Sequence, residues 1–129
     1  MDTDAHRWEG TSAELSFAVI GCAMDVLNTI GHGLHEKPYE NGLAIELALR
    51  GIPFSQQLRF AISYKGQIIG EFVPDLLVGS DLLVEAKVIE RITDHERGQV
   101  INYLKVSKRR IGLILNFHRS KLEWERLIV

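Results

Sequence analysis

The stretch VPDLLVGSDLLVEAK, residues 73–87, places two short apolar runs on either side of Gly79-Ser80-Asp81 and ends them in charge. Runs of this length broken by a glycine-containing turn read as two antiparallel strands. Side chains alternate faces along a strand, so Glu85 and Lys87 point one way and Ala86 the other. A three-residue turn sets Asp75 opposite Glu85, with Cβ atoms about 4.5–5.5 Å apart. A two-residue turn would instead set Val84 opposite Asp75 and separate the acids. With the longer turn, one side of a sheet carries Asp75, Glu85 and Lys87 together. Two carboxylates this close repel and coexist only with a cation nearby or with a raised pKa. Mg²⁺, with Mn²⁺ as a substitute, suits such a pair, because it is a hard ion that prefers oxygen ligands. A lysine beside it can orient or deprotonate an attacking water and offset charge developing on a substrate. The competing reading is a salt bridge on a strand face, since a D…ExK spacing is short and common.

Working outward, the hairpin lies between helices. Upstream, Thr11 and Glu14 form a capping-box pattern that opens a helix reaching about Thr29, with Phe17, Ile20, Met24 and Leu27 at helical spacing. A second helix is expected from about His35 to Arg50, stopped by Gly51-Ile52-Pro53, with Tyr39, Leu43 and Leu47 as its apolar stripe. Glu36 falls on that stripe, which points a carboxylate inward; Glu40 and Glu46 compete for the same role. Leu58–Tyr64 and Ile68–Val78 read as extended runs joined by a turn at Lys65-Gly66-Gln67, and Leu82–Lys87 follows as a third strand. Residues 93–107 return to helical spacing and bring Gln99 and Tyr103 onto one face, where they could position a phosphate or a lysine amine. Ile111–Phe117 reads as a buried strand and Leu122–Val129 as an edge strand. The expected architecture is a single α/β domain over residues 11–129, with a central mixed sheet flanked by helices, preceded by a flexible arm at residues 1–10.

Composition sets the bounds. The 129 residues suffice for one core, and 46% hydrophobic with 25% charged residues is a globular balance. A net charge of −2 argues against coating nucleic acid by general phosphate neutralisation. Any such contact must be local, and Lys105, Lys108, Arg109 and Arg110 form the best candidate cluster, although they also suit an ordinary helix end. The single cysteine, Cys22, excludes an internal disulfide and is expected in the core. No apolar run is expected to span a bilayer, no signal-peptide pattern opens the chain, and the expected compartment is the cytoplasm.

These blocks resemble a known family. GHGLHEKPYENGLAIEL, with Gly33, Glu36 and Tyr39 as a GxxExxY core, is followed in order by YKGQIIGEFVPDLLV, LLVEAKVIE, HERGQVINYLK and IGLILNF. They are similar to the successive blocks of the GxxExxY proteins of the PD-(D/E)XK nuclease superfamily, from about Phe17 to the C-terminus. The resemblance implies an αβββαβ, restriction-endonuclease-like core and Mg²⁺-dependent phosphodiester hydrolysis, with DNA ahead of RNA as partner. It implies that Glu36, Asp75, Glu85 and Lys87 are catalytic. The ion would lie on Asp75, Glu85 and the Ala86 carbonyl, with Glu36 as a further ligand. Gln99 and Tyr103 would match the QxxxY motif of the exonuclease branch. Lys37-Pro38 departs from the smaller pair usual between Glu and Tyr, which shifts weight from Glu36 to Glu40. A domain this small touches little duplex, so a homodimer fits. A non-catalytic nucleic-acid- or protein-binding module on the same fold is the alternative.

Overall fold

The computed structural model describes residues 8–129. Most of the expected N-terminal arm, residues 1–7, lies outside the described residues. Trp8, within that expected arm, packs partly against the core, and its indole N–H donates to the Thr11 carbonyl at 2.9 Å.

Helix α1 (Ser12–Ile30) starts where the capping box places it. Thr11 Oγ1 accepts from the Glu14 amide at 3.1 Å, and Glu14 Oε1 accepts from the Thr11 amide at 2.7 Å. The buried side of α1 keeps half of the expected stripe: Ile20 and Leu27 are buried, Phe17 and Met24 are not. Leu15, Val19, Cys22, Ala23 and Val26 face inward, whereas Phe17 is 66% and Met24 42% exposed. The helix is apolar almost all round, so spacing alone does not choose a face; close packing does. Val26 lies against Gly42 of α2 (Glu36–Leu49), where an added Cβ would meet Val26 Cγ1 at 3.0 Å. Contrary to expectation, α1 is long and apolar enough to cross a membrane, with 19 residues and a mean hydropathy of 1.4. Here its inward side belongs to the core shared with α2 and the sheet. Cys22 is buried there, as expected.

Five strands form the main sheet, in the order β1-β4-β5-β6-β7. They are β1 (Phe54–Gln56), β4 (Leu76–Val78), β5 (Leu82–Lys87), β6 (Ile111–Asn116) and β7 (Glu123–Ile128). β5 and β6 run parallel, joined by α3 (Asp94–Ser107), and the other pairs are antiparallel, so the sheet is mixed. A separate hairpin of β2 (Phe60–Tyr64) and β3 (Gln67–Phe72) lies outside that sheet. The expected Ile68–Val78 run is therefore two strands. Pro74, which has no N–H to donate to a ladder, marks the point where the chain passes from the hairpin to the central sheet. β1 is a three-residue edge strand with too little alternation to announce itself.

The result is three layers around the parallel pair. Leu82, Val84 and Ala86, paired with Ile111, Leu113 and Leu115, face α1 and α2. On the opposite face Leu83 and Ile114 meet Val100 and Leu104 of α3 and Phe72 of the hairpin. Contact there is so close that a Cβ on Gly112 would meet Val100 Cγ1 at 2.6 Å.

Candidate active site

Leu76, Leu77 and Val78 pair with Val84, Leu83 and Leu82, which leaves Gly79-Ser80-Asp81 as a three-residue turn. Continued by one residue, that register sets Asp75 opposite Glu85. The two acids are tied together through the backbone: the Asp75 amide donates to Glu85 Oε2 at 2.9 Å, and the Ala86 amide donates to Asp75 Oδ2 at 2.8 Å. Each carboxylate thus has one oxygen held by a main-chain N–H. Asp75 Oδ1 and Glu85 Oε1 have no protein hydrogen bond among the described residues.

Glu85 is buried, being 7% exposed, and Asp75 is half-buried. Burial pushes the Asp75 carboxyl up to about 6, aided by the charges of Glu40 and Glu36 and opposed by the Ala86 amide and Lys87. Burial, then the charge of Asp75, pushes Glu85 up to about 8. Lys87 points to the same face but forms no ion pair with either acid among the described residues. Its Nζ instead donates to Gln99 Oε1 at 3.3 Å. The salt-bridge reading of this hairpin therefore does not describe the lysine.

The two helix acids divide. Glu36 is exposed at the first turn of α2, and its Oε2 accepts from the Val88 amide at 3.3 Å, just past the end of β5. Glu40 is the buried one, 3% exposed, and its oxygens are occupied by Lys37 at 3.2 and 3.3 Å, Gln56 at 2.7 Å and Gln57 at 2.8 Å. Burial pushes Glu40 up, but these donors outweigh it and hold the carboxyl below its usual range. Sequence reasoning missed Gln56 and Gln57. Gln57 has a φ of 60°, and its amide also donates to the Asp75 carbonyl at 3.3 Å. The signal available was the need of an inward acid at position 40 for donors.

Tyr39 proves to be a buttress. Its hydroxyl donates to the Gly31 carbonyl at 2.7 Å and accepts from the Leu34 amide at 3.2 Å, while its ring stacks on Phe117 at 4.6 Å. Gly33, with φ 105°, takes a conformation that favours glycine in the loop that Tyr39 fixes. Tyr103 is half-buried, with its ring parallel to Phe72 at 4.2 Å. A further residue absent from the sequence reading is Asn116, which faces the same side as Lys87. Its amide clamps both the N–H and the carbonyl of Ile89, at 3.1 and 2.8 Å, steadying the chain that leaves Lys87.

The basic cluster is not part of this assembly. Arg109 and Arg110 directly precede Ile111, which pairs with Leu82, while Lys87 lies at the other end of β5. Five residues of strand separate the two by roughly 17 Å. Lys105 and Lys108 terminate α3, and the Arg109 guanidinium sits over the Phe60 ring at 5.9 Å.

No group of three or more His, Cys, Asp or Glu side chains converges as a metal cluster among the described residues. The site offers two carboxylates, each with one free oxygen, whose mutual repulsion a divalent cation would relieve. That is an all-oxygen donor set of the kind a hard ion prefers, so the residues present fit Mg²⁺.

The chain belongs to the PD-(D/E)XK nuclease superfamily, whose family model matches residues 13–127. An alkaline exonuclease from Laribacter hongkongensis matches in structure over 98% of this chain and 73% of that one, at 11% identity and a TM-score of 0.44. That likeness is too loose to bear on activity. No curated protein matches the chain significantly.

Proposed function

We propose that this protein is a divalent-metal-dependent nuclease of the GxxExxY branch, hydrolysing phosphodiester bonds in DNA ahead of RNA. The observation that carries the reading is the Asp75–Glu85 pair, each carboxylate held by one backbone N–H, of Ala86 and Asp75 respectively, with Lys87 on the same face and held by Gln99.

Asp75 and Glu85 would hold Mg²⁺, or Mn²⁺ in its place, through their unengaged oxygens. The Ala86 carbonyl is a third donor. The Ala86 amide points toward Asp75, and the carbonyl of a strand residue leaves on the same edge as its amide. The Lys87 carbonyl, on the opposite edge, is already used by the Phe117 amide at 2.8 Å. When bound, the ion would neutralise the scissile phosphate and make water more acidic. The chain's own part is then positional. Lys87 would orient the attacking water through an N–H at Nζ and offset the negative charge that develops on the phosphate; Gln99 fixes that ammonium. Glu36 fits the role of helix acid better than Glu40, because the oxygens of Glu40 are committed to Lys37 and the two glutamines. Lys105, Lys108, Arg109 and Arg110 would meet nucleic acid well away from the cut rather than at it.

The test is cleavage of single- and double-stranded DNA and RNA with Mg²⁺ or Mn²⁺, comparing wild type with Asp75→Asn. Metal-dependent cleavage lost in the variant supports the reading. Nucleic-acid binding without cleavage by the wild-type protein would replace it with the non-catalytic module.

A further inference from the structure

We propose that a groove on the solvent side of α3 is a subsite for one unpaired base of the bound strand, so that the protein acts where a strand is single or frayed. This deepens the nuclease reading and rests on it for the identity of the ligand. The groove, about 530 Å³, is lined by Asp94, His95, Gly98, Gln99, Asn102 and Tyr103. It is continuous with the candidate active site through Gln99, which also accepts from Lys87.

Gly98 carries the inference. Glycine inside a helix is destabilising, so a helical glycine calls for a neighbour that needs the room. Gly42 has such a neighbour in Val26, and a Cβ on Gly21 would sit 3.5 Å from the Arg50 guanidinium. Gly98 has none: it is exposed, its φ is not positive, and a Cβ built there meets nothing within 4 Å. None of the described residues uses the space above it, so the open backbone suits a flat group arriving from outside. Beside it the Tyr103 ring has one face covered by Phe72 and is only half-buried. That leaves an aromatic surface on which a base can stack, which is how proteins hold single strands without reading sequence. Asn102, Gln99 and His95 offer donors and acceptors at its rim. The one acid there, Asp94, is paired with Arg97 at 2.8 Å. Seven residues on, about 10 Å along the helix axis, Lys105 supplies a charge for the backbone of the same strand.

The experiment titrates a short single-stranded DNA carrying 2-aminopurine at successive positions, with Ca²⁺ in place of Mg²⁺ so that the strand stays intact. Wild type should quench the probe at one position by stacking. Gly98→Leu, which fills the groove, should abolish that quench and weaken binding roughly tenfold. An abasic site at the same position should weaken wild-type binding similarly and leave the Leu variant unaffected. Gly98→Ala should melt at or above wild type, showing that the glycine is not there for the fold. Wild-type binding and quenching retained in Gly98→Leu, additive effects of the Leu and abasic changes, or no DNA binding at all would each overturn the subsite. Cleavage assays separate the two proposals. Normal cleavage by Gly98→Leu with unchanged preference for single strands removes the groove and leaves the nuclease. A Gly98-sensitive quench in a protein that never cleaves removes the nuclease and leaves the groove.

Discussion

The two faces of β5 are built from neighbouring residues and have opposite characters. Leu82, Val84 and Ala86 close on α1 and α2 and carry no polar group; Leu83, Glu85 and Lys87, on the α3 side, change from apolar to charged within five residues. The first face is replaceable in chemistry and demanding in shape. The second is under-stabilised where its charges gather, because burial leaves Glu85 and Asp75 with raised pKa values beside each other. The difference separates what folds the protein from what the protein does, and it can be broken from either side.

The largest effect is expected from Lys87→Ala. If the α3 face carries chemistry, cleavage should fall about 10²-fold or more while the melting temperature stays the same or rises. Near-native turnover would remove the lysine from the mechanism. Next comes the opposite face: Leu113→Ala, in the closed core under α1 and α2, should destabilise by about 2–5 kcal/mol, with activity per folded molecule retained. Activity lost well beyond the loss of folded protein would mean that the faces are not independent.

A smaller effect sharpens the electrostatic half. Burial pushes the Asp75 and Glu85 carboxyls of the metal-free fold up to about 6 and about 8, above the ordinary 3.8 and 4.5. The folded state therefore holds more protons than the unfolded chain across that interval. Their contribution to stability is fully present below about pH 4 and is lost as pH rises through 6 and then 8. In EDTA, melting temperature should decline over this window, and Asp75→Asn should flatten the decline. At pH 8, Mg²⁺ about a hundredfold above its Kd should restore roughly 2.7 kcal/mol in a saturable way. A metal-free profile that rises through this window, or no metal effect even with a non-cleavable oligonucleotide present, would contradict the assignment.

Much of this was legible in the residues. Thr11 and Glu14, the three-residue turn at 79–81 and the Tyr39-Leu43-Leu47 stripe each depend on contacts within a few residues, and local chemistry sufficed to place them. What escaped depended on distant partners. Phe17 and Met24 match helical spacing as well as Val19 and Val26 do, and only packing against α2, where Val26 lies on Gly42, settles which of them turn inward. β1 exists because β4 offers it an edge. At the candidate site the acids and lysine were visible as a pattern. Gln56, Gln57 and Asn116 were not, since their amides matter only for what the tertiary fold sets beside them.

The backbone bonds that tie Asp75 to the Glu85-Ala86 segment have a kinetic consequence. The pair closes within a hairpin only ten residues around, whereas β5 reaches β6 only after all of α3 has been brought across. Short loops close sooner than long crossovers. The two acids therefore meet early, still in water, where their repulsion is weak, and are dehydrated only when the helices settle on the sheet. That places the penalty after the folding barrier. Asp75→Asn should accordingly slow unfolding of the metal-free protein and leave its folding rate nearly unchanged, which stopped-flow chevrons would reveal. The lifetime of the empty fold is then set by the same two side chains that give it a use.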